Sequence, residues 1–485
     1  MSAILSCHPA HSQPTHTLVG DPRPVGVRLC SILVALSLAG ATVAGCAAPT
    51  DSGAPQWLTP PMGWNSWNSG IPLTEDTVKA TVDAMVSSGM RDAGYRYVNL
   101  DAGWAAPTRG PDGKLRADPK TFPHGIAALA RYVHDLGMLL GLYASPYDES
   151  CGQDPRIASA GHEDTDARTF AAWGVDYLKY DWCHNDADHA NQVKLFTAMR
   201  NALHATGRHI FYSINPNSSD NHHAGTAYDW SGIADMTRTT TDLVPVWRDT
   251  LPPLDNSDAF LTGTYLGVPD EFRASSPAVS RSHTVYFNDP DMLVVGLTWS
   301  DFFVDHLDVS GLIVSQDQLT PERLQKLRVK LALSDAEVSW RANVQPSLTE
   351  SEQRAHFSLW AMLAAPLLAG NDIRTMTDQT RAILTNRDVI AVDQDPLAAR
   401  AAPSQKDGRV LVKPLSDGTA AIVLFNPDTQ PAEITTSTSA SGLHGAPCYA
   451  VRDLWAHTET TTADEITRSV APHDVAMLRI SPACR

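Results

Sequence analysis

The chain has 485 residues, enough for one large domain and a smaller companion, and its 43% hydrophobic and 19% charged content is that of a globular rather than a disordered protein. A formal net charge of −17 argues against binding nucleic acid or an anionic membrane through a basic surface.

The first recognisable element is an apolar run, "LCSILVALSLAGATVAG" (Leu29–Gly45), which follows Arg23 and Arg28 and ends at Cys46. Its length is marginal for a membrane span and suits the apolar region of an export signal. The tetrad Val43-Ala44-Gly45-Cys46 resembles a bacterial lipobox, which predicts cleavage before Cys46 and lipidation of its thiol. The alternative is a plain signal peptide cut nearby. In either case residues 1–46 are expected to be a leader and the mature protein to be exported, as a cell-surface lipoprotein or a secreted protein. Membrane contact is then expected only through the N-terminal lipid. Cys151, Cys183, Cys448 and Cys484 remain after the leader, and an oxidising compartment favours pairing them. Four cysteines allow three pairings; Cys151 with Cys183 and Cys448 with Cys484 keeps each bridge inside one region.

Residues 47–56, "AAPTDSGAPQ", have the composition of a linker. Strand-like and helical stretches then alternate. "YRYVNLD" (95–101) reads as a strand and "HGIAALARYVHDLG" (124–137) as a helix; "MLLGLYA" (138–144) is again a strand and "TDARTFAAWG" (165–174) a helix. "VDYLKYD" (175–181), helix 191–207 and "HIFYSIN" (209–215) continue the rhythm up to "IADMTRTTTD" (233–242). Such alternation predicts a parallel sheet under helices, and its extent fits a (β/α)₈ barrel over residues 57–400. Two long interruptions, 243–283 and 298–351, are expected to wall the mouth of the barrel. From residue 401 to 485 the texture becomes that of a small antiparallel β domain.

Polar residues recur where strands end: Asp101, Tyr143, Lys179, Asp181, Asn215, Arg238, Asp242 and Asp291. In an α/β barrel the carboxyl ends of the strands carry the chemistry. Several carboxylates with a lysine, an arginine and nearby tryptophans describe a sugar site, where aromatic faces stack on the ring and charged groups hold its hydroxyls. Cleaving a glycosidic bond takes a pair of carboxyl groups. Asp181, with a lysine two residues before it to keep it ionised, is the candidate nucleophile, and Asp242, four residues past Arg238, is the candidate partner acid. Against this stands the ordinary use of a strand-end aspartate as a turn former or helix cap. The pair His222–His223 has no third ligand at a recognisable spacing, so no metal is expected. No G-x-G-x-x-G follows the first strand, which argues against a dinucleotide, and no cofactor is expected.

The stretches "TPPMGWNSWN" (59–68), "MRDAGYRYVNLDAGW" (90–104), "AAWGVDYLKYDWC" (171–183), "NDPDMLVVG" (288–296) and "LWAMLAAPLLAGNDIRTM" (359–376) closely resemble glycoside hydrolase family 27, the retaining α-galactosidases or melibiases. That resemblance implies a (β/α)₈ barrel followed by an antiparallel β-sandwich, a carbohydrate substrate and no cofactor. It implies a nucleophile at Asp181 in a lysine-x-aspartate motif and an acid/base at Asp242 closing an arginine-x-x-x-aspartate motif. Trp67, Asp101, Tyr143, Lys179, Arg238, Asp291 and Met292 match positions that line the family's sugar pocket, and Cys151 and Cys183 match a disulfide beside it. Two positions depart. Where the family usually has two adjacent aspartates for O4 and O6, this chain has Asp101 followed by Ala102, and where it commonly has a glutamate for O2, this chain has Asn215. The expected activity is exo-hydrolysis of terminal α-galactosides. The alternatives are an isomalto-dextranase-like action on α-1,6-glucan and a carbohydrate-binding lipoprotein without catalysis.

Overall fold

The computed structural model describes residues 59–147, 158–182, 188–217, 221, 223–247, 266–277, 286–298 and 346–483. The leader and linker with Cys46, the cysteines Cys151, Cys183 and Cys484, His222 and most of both interruptions lie outside the described residues.

Short strands make a single 8-stranded parallel sheet. They are β1 (Met62–Asn65), β2 (Tyr97–Asn99), β3 (Leu139–Ala144), β4 (Tyr177–Asp181), β5 (Phe211–Asn215), β6 (Met236–Arg238), β7 (Phe287–Asp289) and β8 (Leu367–Ala369). Each pairs with its neighbour in sequence, and β1 also pairs with β8. Past β7, Leu293 bridges in parallel to Ala369, its N–H donating to the Leu368 carbonyl at 2.7 Å, which closes the sheet into a barrel. The strands β1 and β2 lie so close at Gly63 that a Cβ there would sit 2.4 Å from the Tyr97 carbonyl oxygen.

Helices cover the outside because their apolar residues recur at helical spacing. In α3 (Ile126–Asp135) the buried residues are Ile126, Leu129, Ala130 and Val133. The others on this layer are α1 (Glu75–Ser87), α2 (Met90–Ala93), α4 (Glu163–Trp173), α5 (His189–Ala205), α6 (Ala224–Ala227), α7 (Val268–Ser275), α8 (Glu350–Leu363), α9 (Asp378–Leu384) and α10 (Arg387–Asp393). Thr74 and Thr349 open α1 and α8 with capping boxes, each taking an N–H of the first turn on its hydroxyl. The helix α7 corrects the reading of 243–283 as a patternless insertion. With Pro269, Asp270 and Glu271 in its first turn and only 8 residues, it is too short for an apolar period to stand out. Similarly, the described end of the 298–351 interruption is simply the start of α8.

The period of two along each strand sorts side chains into layers. Tyr97, Tyr177, Phe211, Met236 and Phe287 point inward and pack as the barrel's apolar floor, with the Tyr177 and Phe211 rings stacked at 5.4 Å. Their neighbours Leu178, Tyr180, Tyr212 and Ile214 point outward into the cluster beneath the helices. Two residues beyond the floor along the same strands stand Lys179, Ser213, Arg238 and Asp289, and the inward positions after Lys179 and Ser213 are Asp181 and Asn215. Register fixes neighbours: Tyr143 opposite Lys179, Lys179 opposite Ser213, Asp181 opposite Asn215, and Arg238 opposite Asp289. One alternation thus turns an apolar plug into a polar cup.

The C-terminal part is antiparallel. Its strands are β9 (Ala402–Pro403), β10 (Val410–Pro414), β11 (Ala420–Asn426), β12 (Ala432–Ser437), β13 (Tyr449–Asp453), β14 (Glu459–Thr462), β15 (Glu465–Val470) and β16 (Asp474–Pro482). A 6-stranded sheet runs in the order β14-β13-β16-β11-β10-β9 and a 2-stranded sheet pairs β12 with β15. Ile422, Leu424, Leu478 and Ile480 from the larger sheet meet Ile434, Ile466 and Val470 from the smaller in one core, the section of a β-sandwich. This part grips the barrel through α8. Lys413 donates to the Ala361 carbonyl at 2.8 Å, and the Trp455 indole N–H to Ser358 Oγ at 2.9 Å. Cys448 is disulfide-bonded. It is the one cysteine among the described residues, so its partner lies outside them.

Candidate active site

The carboxyl ends of the strands converge on a polar cup lined by Asn65, Lys179, Ser213, Asn215, Arg238, Asp289, Asp291 and Met292, with Tyr177 and Leu368 at its base. Charge is organised around two cations, a partly buried lysine and a buried arginine. From β4, Lys179 Nζ lies 2.9 Å from Asp101 Oδ2 and 3.7 Å from Asp181 Oδ2, and 5.2 Å from the centre of the Tyr143 ring. Asp101 stands just past β2, outside the strand proper. Its Oδ2 also accepts from Asn65 Nδ2 at 3.1 Å, and its Oδ1 from the Ala102 N–H at 2.9 Å. The carboxylates of Asp101 and Asp181 raise the Lys179 pKa against the burial that opposes it. That lysine is a fixed charge at any working pH.

From β6, Arg238 spans the other side. One guanidinium nitrogen lies 3.1 Å from Asp291 Oδ1; the other donates to Asp242 Oδ1 at 3.1 Å and to the Thr241 carbonyl at 2.7 Å. Asp291 is buried and adopts a φ of 78°, a backbone state that is rare outside glycine. Its carboxylate accounts for that state by taking the N–H groups of Met292 at 2.7 Å and Leu243 at 2.9 Å, while its carbonyl takes the Trp360 indole.

Asp181 and Asp242 differ in exposure. The Asp181 side chain is 9% exposed and that of Asp242 is 48% exposed. Burial raises the Asp181 pKa above that of an ordinary aspartate, with Asp101 and Asp242 adding to the rise; Lys179 and Arg238 pull it back without cancelling it. The lysine therefore limits a shift that burial decides, where spacing alone led us to expect plain stabilisation of the anion. Asp289, buried between Lys179, Arg238 and Asp291, is pushed up to about 7 by burial. Its Oδ1 accepts the Asp291 N–H at 2.9 Å.

Every strand-end residue singled out from the sequence lies at this mouth. Trp67 follows β1 on a 3₁₀ turn, its N–H donating to Asn65 Oδ1 at 2.8 Å, and it packs against the barrel floor. Tyr143 and Met292 are buried beside Lys179 and Asp291. The Oδ1 of Asn215 is occupied by the N–H and the Nδ2 of Asn217, at 3.1 and 2.9 Å. The bridge between Cys151 and Cys183 and the wall expected from both interruptions fall outside the described residues. Sequence reasoning missed Asn65, Ser213, Asn217, Glu271 and Asp289. A period of two carried through β1, β5 and β7 points to Asn65, Ser213 and Asp289 (the inward positions next above Gly63, Phe211 and Phe287), but Asn217 and Glu271 act through contacts no spacing displays.

Known proteins resemble the chain over most of its length. A family model described as alpha galactosidase A matches residues 59–302 and 343–395, and one described as the alpha galactosidase C-terminal beta sandwich domain matches residues 405–480. An α-galactosidase of Oryza sativa subsp. japonica is 35% identical over 428 residues, 87% of this chain and 85% of that protein. An α-galactosidase A of Cellvibrio japonicus is 33% identical over 438 residues, 87% of this chain and 92% of its own length. Among solved structures, α-galactosidase I from Mortierella vinacea superposes with a TM-score of 0.67 at 28% identity, covering 88% of this chain and 99% of that one.

Replacing Lys179 by methionine tests the electrostatic balance. The cation lowers the Asp181 pKa, so its removal leaves burial and Asp101 to raise it further. A group that works as a carboxylate then becomes active only at higher pH. We expect the acid limb of the kcat/KM profile to move upward in Lys179→Met, with kcat/KM at the optimum falling about 10- to 100-fold for the lost charged contact. An unmoved limb removes Lys179 from this role.

Proposed function

The chain belongs to the α-galactosidase family of glycoside hydrolases, family 27, and from that membership we propose a retaining, exo-acting hydrolase of terminal α-D-galactosyl residues in oligo- or polysaccharides. One observation carries the reading: a buried carboxylate, Asp181, and a half-exposed carboxylate, Asp242, stand at the mouth of one barrel, each beside its own cation.

Asp181 attacks C1 of the sugar and forms a covalent glycosyl-enzyme while Asp242 gives a proton to the departing glycosidic oxygen. Water then enters, Asp242 takes its proton, and the C1–Asp181 bond breaks. Two inversions return the original configuration. Exposure suits the roles, since Asp242 must meet both leaving group and water whereas Asp181 needs to meet only C1. Asp101, Asp181, Asp242 and Asp291 together outweigh Lys179 and Arg238, so the cup is electronegative where positive charge develops on the ring. Trp67, Tyr143, Asn215 and Met292 complete the sugar's walls in this reading.

Hydrolysis of p-nitrophenyl α-galactoside, with product configuration followed by NMR, tests it directly. In Asp181→Gly turnover should fall at least about 10³-fold. Azide entering the space left by the carboxylate should yield the β-galactosyl azide, one inversion from substrate. Near-normal turnover in that variant, or an azide of retained configuration, contradicts the assignment.

The isomalto-dextranase-like reading draws support from Ala102, which stands next to Asp101 and brings no carboxylate to the axial O4 that distinguishes galactose from glucose. Ala102→Asp should raise the ratio of kcat/KM for α-galactoside over α-glucoside about tenfold, through one charge-assisted hydrogen bond. A ratio unchanged, or wild-type action on isomalto-oligosaccharides alone, turns the choice of sugar away from galactose.

We also propose export, with Cys46 lipidated and Cys151 bridged to Cys183, on the strength of the leader's sequence and the family resemblance. Mass spectrometry of unreduced peptides from the mature protein should find an acylated N-terminal Cys46 and the linked pair. Free thiols at Cys151 and Cys183, or an unmodified N-terminus elsewhere, count against it.

A further inference from the structure

The half-exposed Asp242 sits on a turn, Thr239–Leu243, that leaves β6 without regular structure, yet the turn is held from both sides. On the β5 side, Asn217 is buried, and its Nδ2 lies 3.1 Å from the Arg238 carbonyl and 2.8 Å from the Thr240 carbonyl. Its Oδ1 takes the Gly225 N–H at 3.0 Å, so α6 is drawn against the end of β6. Gly225 has no room for a side chain, since a Cβ there would lie 1.8 Å from the Arg238 carbonyl oxygen. On the far side, the Thr240 hydroxyl donates to Glu271 of α7, and Ser275 donates to the same carboxyl oxygen at 2.9 Å. Ser275 is also hydrogen-bonded to Thr239 at 2.7 Å. Glu271 is fully buried.

We propose that Asn217 and Glu271 are positioning residues that clamp the Arg238–Thr240 segment, Asn217 by the segment's backbone carbonyls and Glu271 by the Thr240 hydroxyl, and so aim the Asp242 carboxyl at the leaving-group oxygen. The inference rests on the reading of Asp242 as the acid. Arg238 alone does not do this work. It holds the Asp242 carboxyl and the Thr241 carbonyl, but its own carbonyl and that of Thr240 are in turn acceptors in the Asn217 clamp. A general acid must reach its oxygen within hydrogen-bond distance, and a turn that drifts by an ångström costs rate even when every catalytic group is present. Burial pushes Glu271 up to about 8, so through the acidic and neutral range it is an uncharged acceptor. Glutamine is therefore its fair mimic and leucine its apolar blank.

The test exploits leaving-group dependence in the full-length protein. Because kcat/KM reports only steps up to glycosyl-enzyme formation, an alkyl leaving group, as in methyl α-galactoside, needs the acid, whereas 2,4-dinitrophenolate departs without it. Asn217→Ala and Glu271→Leu should lower kcat/KM at least about 30-fold for the methyl glycoside and less than about 3-fold for the dinitrophenyl one, within the 10²–10⁴-fold worth of general acid catalysis. Glu271→Gln should stay within about 3-fold on both substrates. Thr240→Val, nearly isosteric, should reproduce the split if the larger changes impair folding. Equal losses on both substrates, or none, overturn the proposal, as does Glu271→Gln behaving like Glu271→Leu. Asp242→Asn is the control: if it shows no split, the acid assignment itself has failed and the inference falls with it.

Discussion

A guanidinium sealed from water is the constraint around which this site is arranged. Arg238 is inward-facing on β6 with its side chain 5% exposed, and the desolvation of such a cation is worth several kcal/mol unless anions replace the lost water. Asp291 and Asp242 do so from different elements, one past β7 and the other on the turn after β6. To meet the cation, Asp291 accepts a left-handed backbone state, and the same carboxylate then fixes Met292 and Leu243. Solvating one charge therefore orders the exits of two strands. Breaking the pair by removing either partner leaves an uncompensated charge in the barrel, which is costlier than never having had the pair.

Lys179 plays the corresponding part on the opposite wall, but with a different division of labour. Its ion pairs tie β4 to the residue past β2, and they moderate a proposed nucleophile whose carboxyl burial has made reluctant to ionise. Burial that raises the Asp181 pKa also strips water from the anion once formed, which leaves it a better nucleophile toward C1. Asp242, by contrast, has nearly half of its side chain facing solvent. Two carboxyl groups with distinct environments are what acid and nucleophile roles require.

Further side chains tie the elements of the site to one another. Asn65 shares Asp101 with Lys179, Asn217 ties the end of β5 to that of β6, and Glu271 reaches the same turn from α7. The apolar floor beneath them, with Tyr177 stacked on Phe211, fills the barrel so that the cup has a fixed base.

Much of this was legible from the residues in order. The alternation of strand and helix named the fold, and polar residues at strand ends named Asp101, Lys179, Asp181, Asn215, Arg238, Asp242 and Asp291, because a strand's period of two and a barrel's closed sheet leave such residues one common place to go. The short α7 was missed because eight residues carry too little period to read, and with it went Glu271. Nothing in the order of residues marks Asn217, because its partners, Arg238 and Thr240, lie on another strand's exit. Local spacing determined which side chains face inward. Only the tertiary structure decided how burial and neighbouring charge share protons among them, since desolvation and distance belong to the folded chain and to no stretch of it.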